Sequence, residues 1–341
     1  MTKPVGVGVL GLGSIGATHA RALDELRGLA EMRAFSGGDT GRSAAAGWPD
    51  AVQVAPEELV RHPGVDVVAV CSPSGRHAAH AVEALTAGKH VVVEKPLALD
   101  VADAERVVRL ADREGLVAAV ISQRRFEPEY AAVKRLLADG TLGRLRLATT
   151  HVHWWRDDAY YRAAPWRAAM AGGGGSLMNQ GVHNVDLLQW LCGPVAEVTA
   201  QYATLAHEID AEDTTVATLR FAGGALGLLS TSTATPPGSP ATLTLHVERG
   251  VIELGQGEVV RWDVPGVPPP AATGTAATGA ADPAAIGFAG HVSQWRDVLT
   301  AVREGRPPAV PAAEGAVTVR LMCAIYRAAQ TGRAVRPEEL T

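Results

Sequence analysis

Val5 to Leu10 is an apolar run of strand length, and Gly11-Leu12-Gly13-Ser14-Ile15-Gly16 follows it without a gap. A helical stretch to about Arg27 comes next. GxGxxG set between a strand and a helix restricts the fold more than any other feature of this chain. Gly11 permits the tight turn, Gly13 lets a pyrophosphate approach the backbone, and Gly16 lets the helix pack close on the strand. Ser14 and Ile15 open the helix, where free N–H groups face the anion. The other reading is an ordinary strand-to-helix turn, and the order of elements that follows decides against it.

Glu31–Phe35, Val52–Val54, Val65–Cys71, His90–Glu94 and Val117–Ile121 read as further strands. Helices over about Pro56–Arg61, His77–Thr86 and Val101–Glu114 lie between the later ones. Such alternation predicts an α/β fold with a doubly wound parallel sheet. Ligands of these sheets bind beyond the carboxyl ends of the strands. Ser72, Pro73 and His77 therefore line one side of a cofactor crevice, and Glu94 and Lys95 another. An acid ending the second strand would bind the ribose hydroxyls of NAD and repel a 2′-phosphate. Here the strand ends Phe35-Ser36-Gly37-Gly38, with Arg42 a little later. Ser36 and Arg42 suit a phosphate, which points to NADP over NAD; a plain polar turn is the alternative.

A second glycine run opens the stretch GGGGSLMNQGVHNVDLLQWLCG, residues 172–193. Val182, Val185, Leu188 and Leu191 recur at helical spacing, so a buried amphipathic helix is predicted. On it Asn179, His183 and Asp186 are four and three residues apart and share one face. An amide, an imidazole and a carboxylate gathered there suit catalysis; a core helix with a hydrogen-bonded histidine is the bland alternative.

Length and composition narrow the classes. A chain of 341 residues has room for two cores. Its net charge of −5 gives no reason to expect nucleic acid or an anionic membrane. Charged residues or glycines interrupt every apolar run before spanning length, and the N-terminus enters its first strand directly, so neither membrane span nor signal peptide is expected. Cys71, Cys192 and Cys323 are scattered, which suits reduced thiols in a cytoplasmic protein. The other histidines, His19 and His291 among them, share no ligand spacing, and no metal is predicted.

The glycine fingerprint, Glu94-Lys95-Pro96, the second glycine run and Asn179-x-x-x-His183-x-x-Asp186 together resemble the Gfo/Idh/MocA oxidoreductase family. That family includes glucose–fructose oxidoreductase and inositol dehydrogenase. The likeness also takes in Ser72-Pro73, Arg125-Phe126, Tyr160-Tyr161 and Trp166-Arg167. It implies an N-terminal Rossmann domain, residues 1–121, and a C-terminal α+β substrate domain, residues 122–341. An open, mostly antiparallel sheet in the second would carry oligomer contacts, giving a homodimer or homotetramer. It implies Lys95 and His183 as catalytic groups, Asn179 where the inositol dehydrogenase pattern has aspartate, and Asp186 as a substrate ligand. Some sugar-oxidising members share the asparagine.

The resemblance implies hydride transfer between NAD or NADP and a secondary alcohol or lactol of a sugar, sugar derivative or polyol. His183 would act as general acid/base and Lys95 would stabilise the alkoxide. Two other classes share the fold: a non-catalytic dinucleotide or sugar sensor, which retention of Lys95 and His183 argues against, and a glycosidase that oxidises its substrate transiently with bound NAD. The aromatic and arginine-rich segment 153–167 suits a sugar, with Arg125, Tyr161 and Arg167 as substrate contacts; buried anchoring of a loop is the alternative. Residues 264–287 are rich in Pro, Gly and Ala, and read as a mobile loop that is dispensable rather than a lid.

Overall fold

The computed structural model describes residues 3–270 and 287–340. The chain divides into two compact units, one of residues 1–123 and 288–319, the other of residues 124–287 and 320–341.

In the first unit six strands form a parallel sheet among the described residues: β1 (Val5–Leu10), β2 (Ala30–Ser36), β3 (Val52–Gln53), β4 (Val67–Val70), β5 (His90–Val93) and β6 (Ala118–Val120). Their order is β3-β2-β1-β4-β5-β6. Helices α1 (Ser14–Asp24), α2 (Thr40–Ala45), α3 (Pro56–Leu59), α4 (His77–Thr86) and α5 (Val101–Glu114) lie between them in sequence. Every residue of β1 is buried, which is why it reads as an apolar run rather than an alternation. The order reverses between β1 and β4, so the ligand crevice falls at the ends of those strands. α5 is capped at both ends, by the Asp100 carboxylate and by Gly115 at φ 64°. α1 has no side-chain cap, and its first turn opens on the glycine turn with donors to spare.

The single boundary expected near residue 121 needs correction. α9 (Ala289–Glu304) follows most of the second unit in sequence yet belongs to the first. Val292, Trp295, Leu299 and Val302 recur three and four residues apart and pack on the first core. Gln294 joins the end of β6, donating to the Val120 carbonyl at 2.7 Å and accepting the Ser122 N–H at 3.0 Å. Helical periodicity shows that a stripe must be buried, but not against which sheet.

The second unit holds α6 (Pro128–Ala138), α7 (Asp158–Arg162) and α8 (Val182–Cys192) beside a mixed sheet. Its strands are β7 (Leu145–His153), β8 (Val195–Ala203), β9 (Thr214–Phe221), β10 (Leu226–Ser232), β11 (Thr242–Val247), β12 (Gly250–Leu254) and β13 (Val259–Asp263). They run in the order β13-β12-β11-β7-β10-β9-β8, antiparallel except where β7 meets β10. One face is buried and the other open: in β9, Ala217, Leu219 and Phe221 are buried while Val216, Thr218 and Arg220 are exposed. Leu226 and Leu228 of β10 add apolar side chains to the open face. Of the segment 264–287 read as a mobile loop, residues 271–286 lie outside the described residues. Its start is packed, with Val264 buried and the Trp262 indole donating to the Val267 carbonyl at 2.7 Å. No described helix is long and apolar enough to cross a membrane.

Candidate active site

The glycine turn of the first unit is built by close backbone contacts. Gly11 has φ 104°, and a Cβ there would lie 2.7 Å from the Cys71 carbonyl oxygen. A Cβ on Gly16 would run into the Gly11 carbonyl. At Gly13 a Cβ would meet nothing within 4 Å. Two of the three glycines are thus required by packing, while the third faces open space at the mouth of α1. Ser14 is exposed and Ile15 half-buried beside it. The N–H groups of Gly11 and Leu12 both donate to the Ser36 carbonyl, at 3.0 and 2.8 Å, and strap the turn to the tip of β2. Open space at Gly13 and uncapped N–H groups on α1 fit the pyrophosphate of a dinucleotide.

Beyond β2, Ser36 is buried. Asp39 caps α2 by accepting the Arg42 N–H at 2.8 Å. The Arg42 guanidinium reaches back to the Leu12 carbonyl at 3.3 Å, so a cation stands beside the glycine turn.

Glu94-Lys95-Pro96 follows β5, with a cis peptide between Lys95 and Pro96. Glu94 is 4% exposed; its Oε2 accepts the Lys95 N–H at 3.0 Å, and its Oε1 lies 2.9 Å from His19 Nε2. Burial opposes the carboxylate, but the His19 hydrogen bond and the nearby Lys95 charge act against it, and the carboxyl is held well below the usual range. His77, expected at the cofactor, turns both ring nitrogens to backbone carbonyls, Pro96 and Ser72, each at 2.7 Å. It therefore ties the segment after β4 to the segment after β5. Ser72 Oγ is held in turn by His80 Nδ1 at 2.9 Å.

His19, Glu94 and His291 have the composition of a metal site, with ligand atoms within 4.8 Å of one another. A metal-bound imidazole donates through its second nitrogen. Nδ1 of His19 instead receives the Trp295 indole N–H at 2.9 Å. That donor opposes ligation through Nε2.

In the second unit the expected single α-helix is two pieces. Ser176–Gly181 is a buried π-helix, and α8 begins only at Val182. Asn179 thus lies in the π segment, with His183 and Asp186 in α8. Insertion of a wider turn is common where a helix serves a site. Its N-terminus is held by Glu212, which sequence reading did not single out. Glu212 Oε2 accepts from Ser176 Oγ at 2.6 Å, and Oε1 accepts the Leu177 N–H and the Tyr326 hydroxyl, each at 2.9 Å. Burial raises the Glu212 pKa, and these bonds work against the rise. A Cβ on Gly175 would lie 2.6 Å from Glu212 Oε1, and one on Gly181 would lie 2.5 Å from the Thr231 methyl. The glycines therefore permit this helix to sit against its carboxylate and β10.

The two amide side chains of the π-helix converge on one phenol. Asn179 Nδ2 and Gln180 Nε2 donate to the Tyr160 hydroxyl at 3.1 and 2.6 Å. Tyr161, the expected substrate contact, is buried, with its hydroxyl 2.8 Å from Thr233 Oγ1. Burial pushes its pKa up to about 12. Neighbours on a helix point about 100° apart, so in α7 one tyrosine enters the core and the other meets Asn179. Arg167 stacks 4.2 Å over the Tyr160 ring and is half-buried. Arg156 and Trp154 are buried, so the aromatic segment both anchors its loop and presents groups at Tyr160. Arg125 and Asp186, both expected to hold substrate, meet each other: Nη2 and Nε donate to the two carboxylate oxygens at 2.6 and 2.9 Å.

A doubly wound sheet with a dinucleotide cradle, followed in the same chain by an α+β unit of this kind, defines an NAD(P)-binding oxidoreductase. Residues 5–122 match the oxidoreductase family with the NAD-binding Rossmann fold, and residues 130–253 match the GFO/IDH/MocA C-terminal domain. The chain belongs to the Gfo/Idh/MocA oxidoreductase family. Its structure is similar to that of the WlbA dehydrogenase of Bordetella pertussis in complex with NADH and UDP-GlcNAcA, with TM-score 0.86, 31% identity, and 98% of this chain and 99% of that one covered. It is 26% identical to myo-inositol 2-dehydrogenase of Thermotoga maritima, over 98% of this chain and 99% of the relative. The NADP-dependent scyllo-inositol 2-dehydrogenase of Bacillus subtilis is 30% identical over 57% of this chain and 53% of its own length.

Proposed function

We propose that this protein is an NAD(P)-dependent dehydrogenase acting on a secondary alcohol or lactol of a sugar, sugar derivative or polyol. One observation carries the reading: Asn179 and His183 stand on either side of the junction between a buried π-helix and α8, in a family whose relatives include inositol dehydrogenases. When bound, the nicotinamide supplies the hydride acceptor or donor. His183 takes or returns the hydroxyl proton, and Lys95 donates to the reacting oxygen. Asn179 orients groups at the site from its anchor on Tyr160. Tyr160 and Arg167 are the substrate contacts we favour from the aromatic segment. The open sheet face, with Leu226 and Leu228, is our proposed homo-oligomer contact.

The test is a panel of polyols, aldoses and charged sugar derivatives, read by absorbance of the reduced cofactor. Turnover of any member supports the reading. Binding without turnover across the panel would favour a sensor, and sugar release without net cofactor change a transient-oxidation glycosidase.

NADP is expected to bind at least as tightly as NAD, because no acid ends β2 and Arg42 stands beside the glycine turn. Titration of both by tryptophan fluorescence checks this, and Arg42→Ala should weaken NADP selectively. A large NAD preference unchanged in Arg42→Ala would remove the argument.

Asn179→Asp is expected to move the acid limb of kcat/KM for oxidation to higher pH. A negative charge near an imidazole favours its protonated form, so the base form is reached later as pH rises. Asp186 takes two hydrogen bonds from Arg125, so we expect its charge not to stand in for the new one; if it does act on His183, the limb should move little and Asp186→Asn should shift it to lower pH. A limb unmoved in both variants would mean that another group controls it.

A further inference from the structure

We propose that Trp295 and His19 are positioning residues for Lys95: the indole sets the imidazole tautomer, and the imidazole fixes the carboxylate that holds the Lys95 peptide. The positioning role rests on the reading of Lys95 as a catalytic group.

All the groups concerned belong to the first unit and are removed from water. His19 is 0%, Trp295 1% and Glu94 4% exposed. An indole N–H can only donate. Its 2.9 Å contact with Nδ1 therefore makes that nitrogen a lone-pair acceptor. The ring proton must then sit on Nε2, whose 2.9 Å contact with Glu94 Oε1 becomes N–H to oxygen. The other carboxylate oxygen takes the Lys95 N–H at 3.0 Å. Polarity runs one way along the chain, from indole to imidazole to carboxylate, and both carboxylate oxygens are engaged.

The titratable or charged groups around His19 come from three places. Cys71 lies beyond β4, Glu94 beyond β5, and His291 projects from α9 with its ring centroid 5.3 Å away. Burial disfavours a charged His19 ring, but Cys71 and Glu94 outweigh it and push the pKa up to about 10, against which stands the indole donor at Nδ1. His291 is pushed down to about 4, mainly by burial, and stays neutral. Protonation of Nδ1 would set two donors against each other at 2.9 Å, and this decides for the neutral ring. Trp295 is thus more than a core residue. It sits on the one face of α9 from which His291 and Gln294 also reach the strand ends, three and four residues apart.

A catalytic group displaced by about 1 Å can lose about a hundredfold in rate. Loosening one support of the Lys95 peptide should cost about tenfold in kcat, with cofactor affinity unchanged. The experiment uses the full chain labelled with 15N-histidine, with the His19 signal assigned from its absence in His19→Gln. Wild type is expected to show the neutral Nε2–H tautomer across about pH 5 to 8. Trp295→Phe should free Nδ1, let the ring take up a proton within that range, and lower kcat about tenfold. A glutamine amide can both accept from the indole and donate to the carboxylate, so His19→Gln should stay within about threefold of wild type. His19→Leu should fall about as far as Trp295→Phe, which a role in packing alone would not require. If Trp295→Phe folds poorly, the His19 variants and the wild-type spectrum still decide. An imidazolium or an Nδ1–H tautomer in wild type overturns the proposal, as does equal activity of His19→Leu and His19→Gln. Unaffected turnover in Trp295→Phe beside an inactive Lys95→Ala overturns the positioning role alone. Full turnover in Lys95→Ala overturns both that role and the catalytic reading, and leaves the tautomer intact.

Discussion

Alanine at Lys95 or at His183 is expected to lower kcat about a hundredfold or more, with cofactor affinity little changed. Each group acts on the reacting hydroxyl in the proposed chemistry, one by charge and one by proton transfer. Interactions realised only in the transition state appear in kcat, not in binding. Steady-state kinetics on a panel substrate, beside cofactor titration, separates the two effects. Lys95 is half-buried and follows a strand whose neighbours Val93 and Glu94 are buried, so its truncation should leave the fold intact. A variant of either residue with near-normal turnover would remove that residue from the mechanism.

Asp186→Ala is expected to destabilise the second unit by about 3–5 kcal/mol, because it leaves the Arg125 guanidinium buried without its carboxylate. The side chains are 6% and 8% exposed, and two hydrogen bonds join them. Arg125 also stands 5.5 Å over the Trp190 ring, and it would keep its buried charge there after losing the Asp186 carboxylate. Replacing both partners by apolar residues of similar volume, Arg125→Met with Asp186→Leu, should cost much less than either single alanine change. Urea unfolding of the three variants measures this. Single changes within about 0.5 kcal/mol of wild type, the range of ordinary surface substitutions, would show that the pair holds nothing together. The role of Asp186 as a substrate ligand would then regain its ground.

Much of this protein is legible along the chain because the physics is local. A strand buried on both faces must be a continuous apolar run, and β1 is one. A tight turn followed by a close helix contact demands glycine at Gly11 and Gly16, whatever surrounds them. The resemblance brought Lys95, Asn179 and His183 forward for the same reason, since each stands in a short motif. Other features depend on what comes to lie against what. The apolar stripe of α9 shows that the helix is buried, but only the folded chain assigns it to the first core and sets Trp295 on His19. Tyr160 and Tyr161 are equivalent in sequence; the seating of α7 sends one into the interior and the other to Asn179. The N-terminus of the π-helix is held by a carboxylate more than thirty residues away, Glu212, and no periodicity announces such a contact. Arg125 and Asp186 read separately as substrate ligands, yet a buried charge takes the nearest opposite charge, and here each finds the other. Local geometry and burial pattern are written residue by residue. The pairing of polar groups between distant segments is settled only when the cores close and each buried donor must find an acceptor.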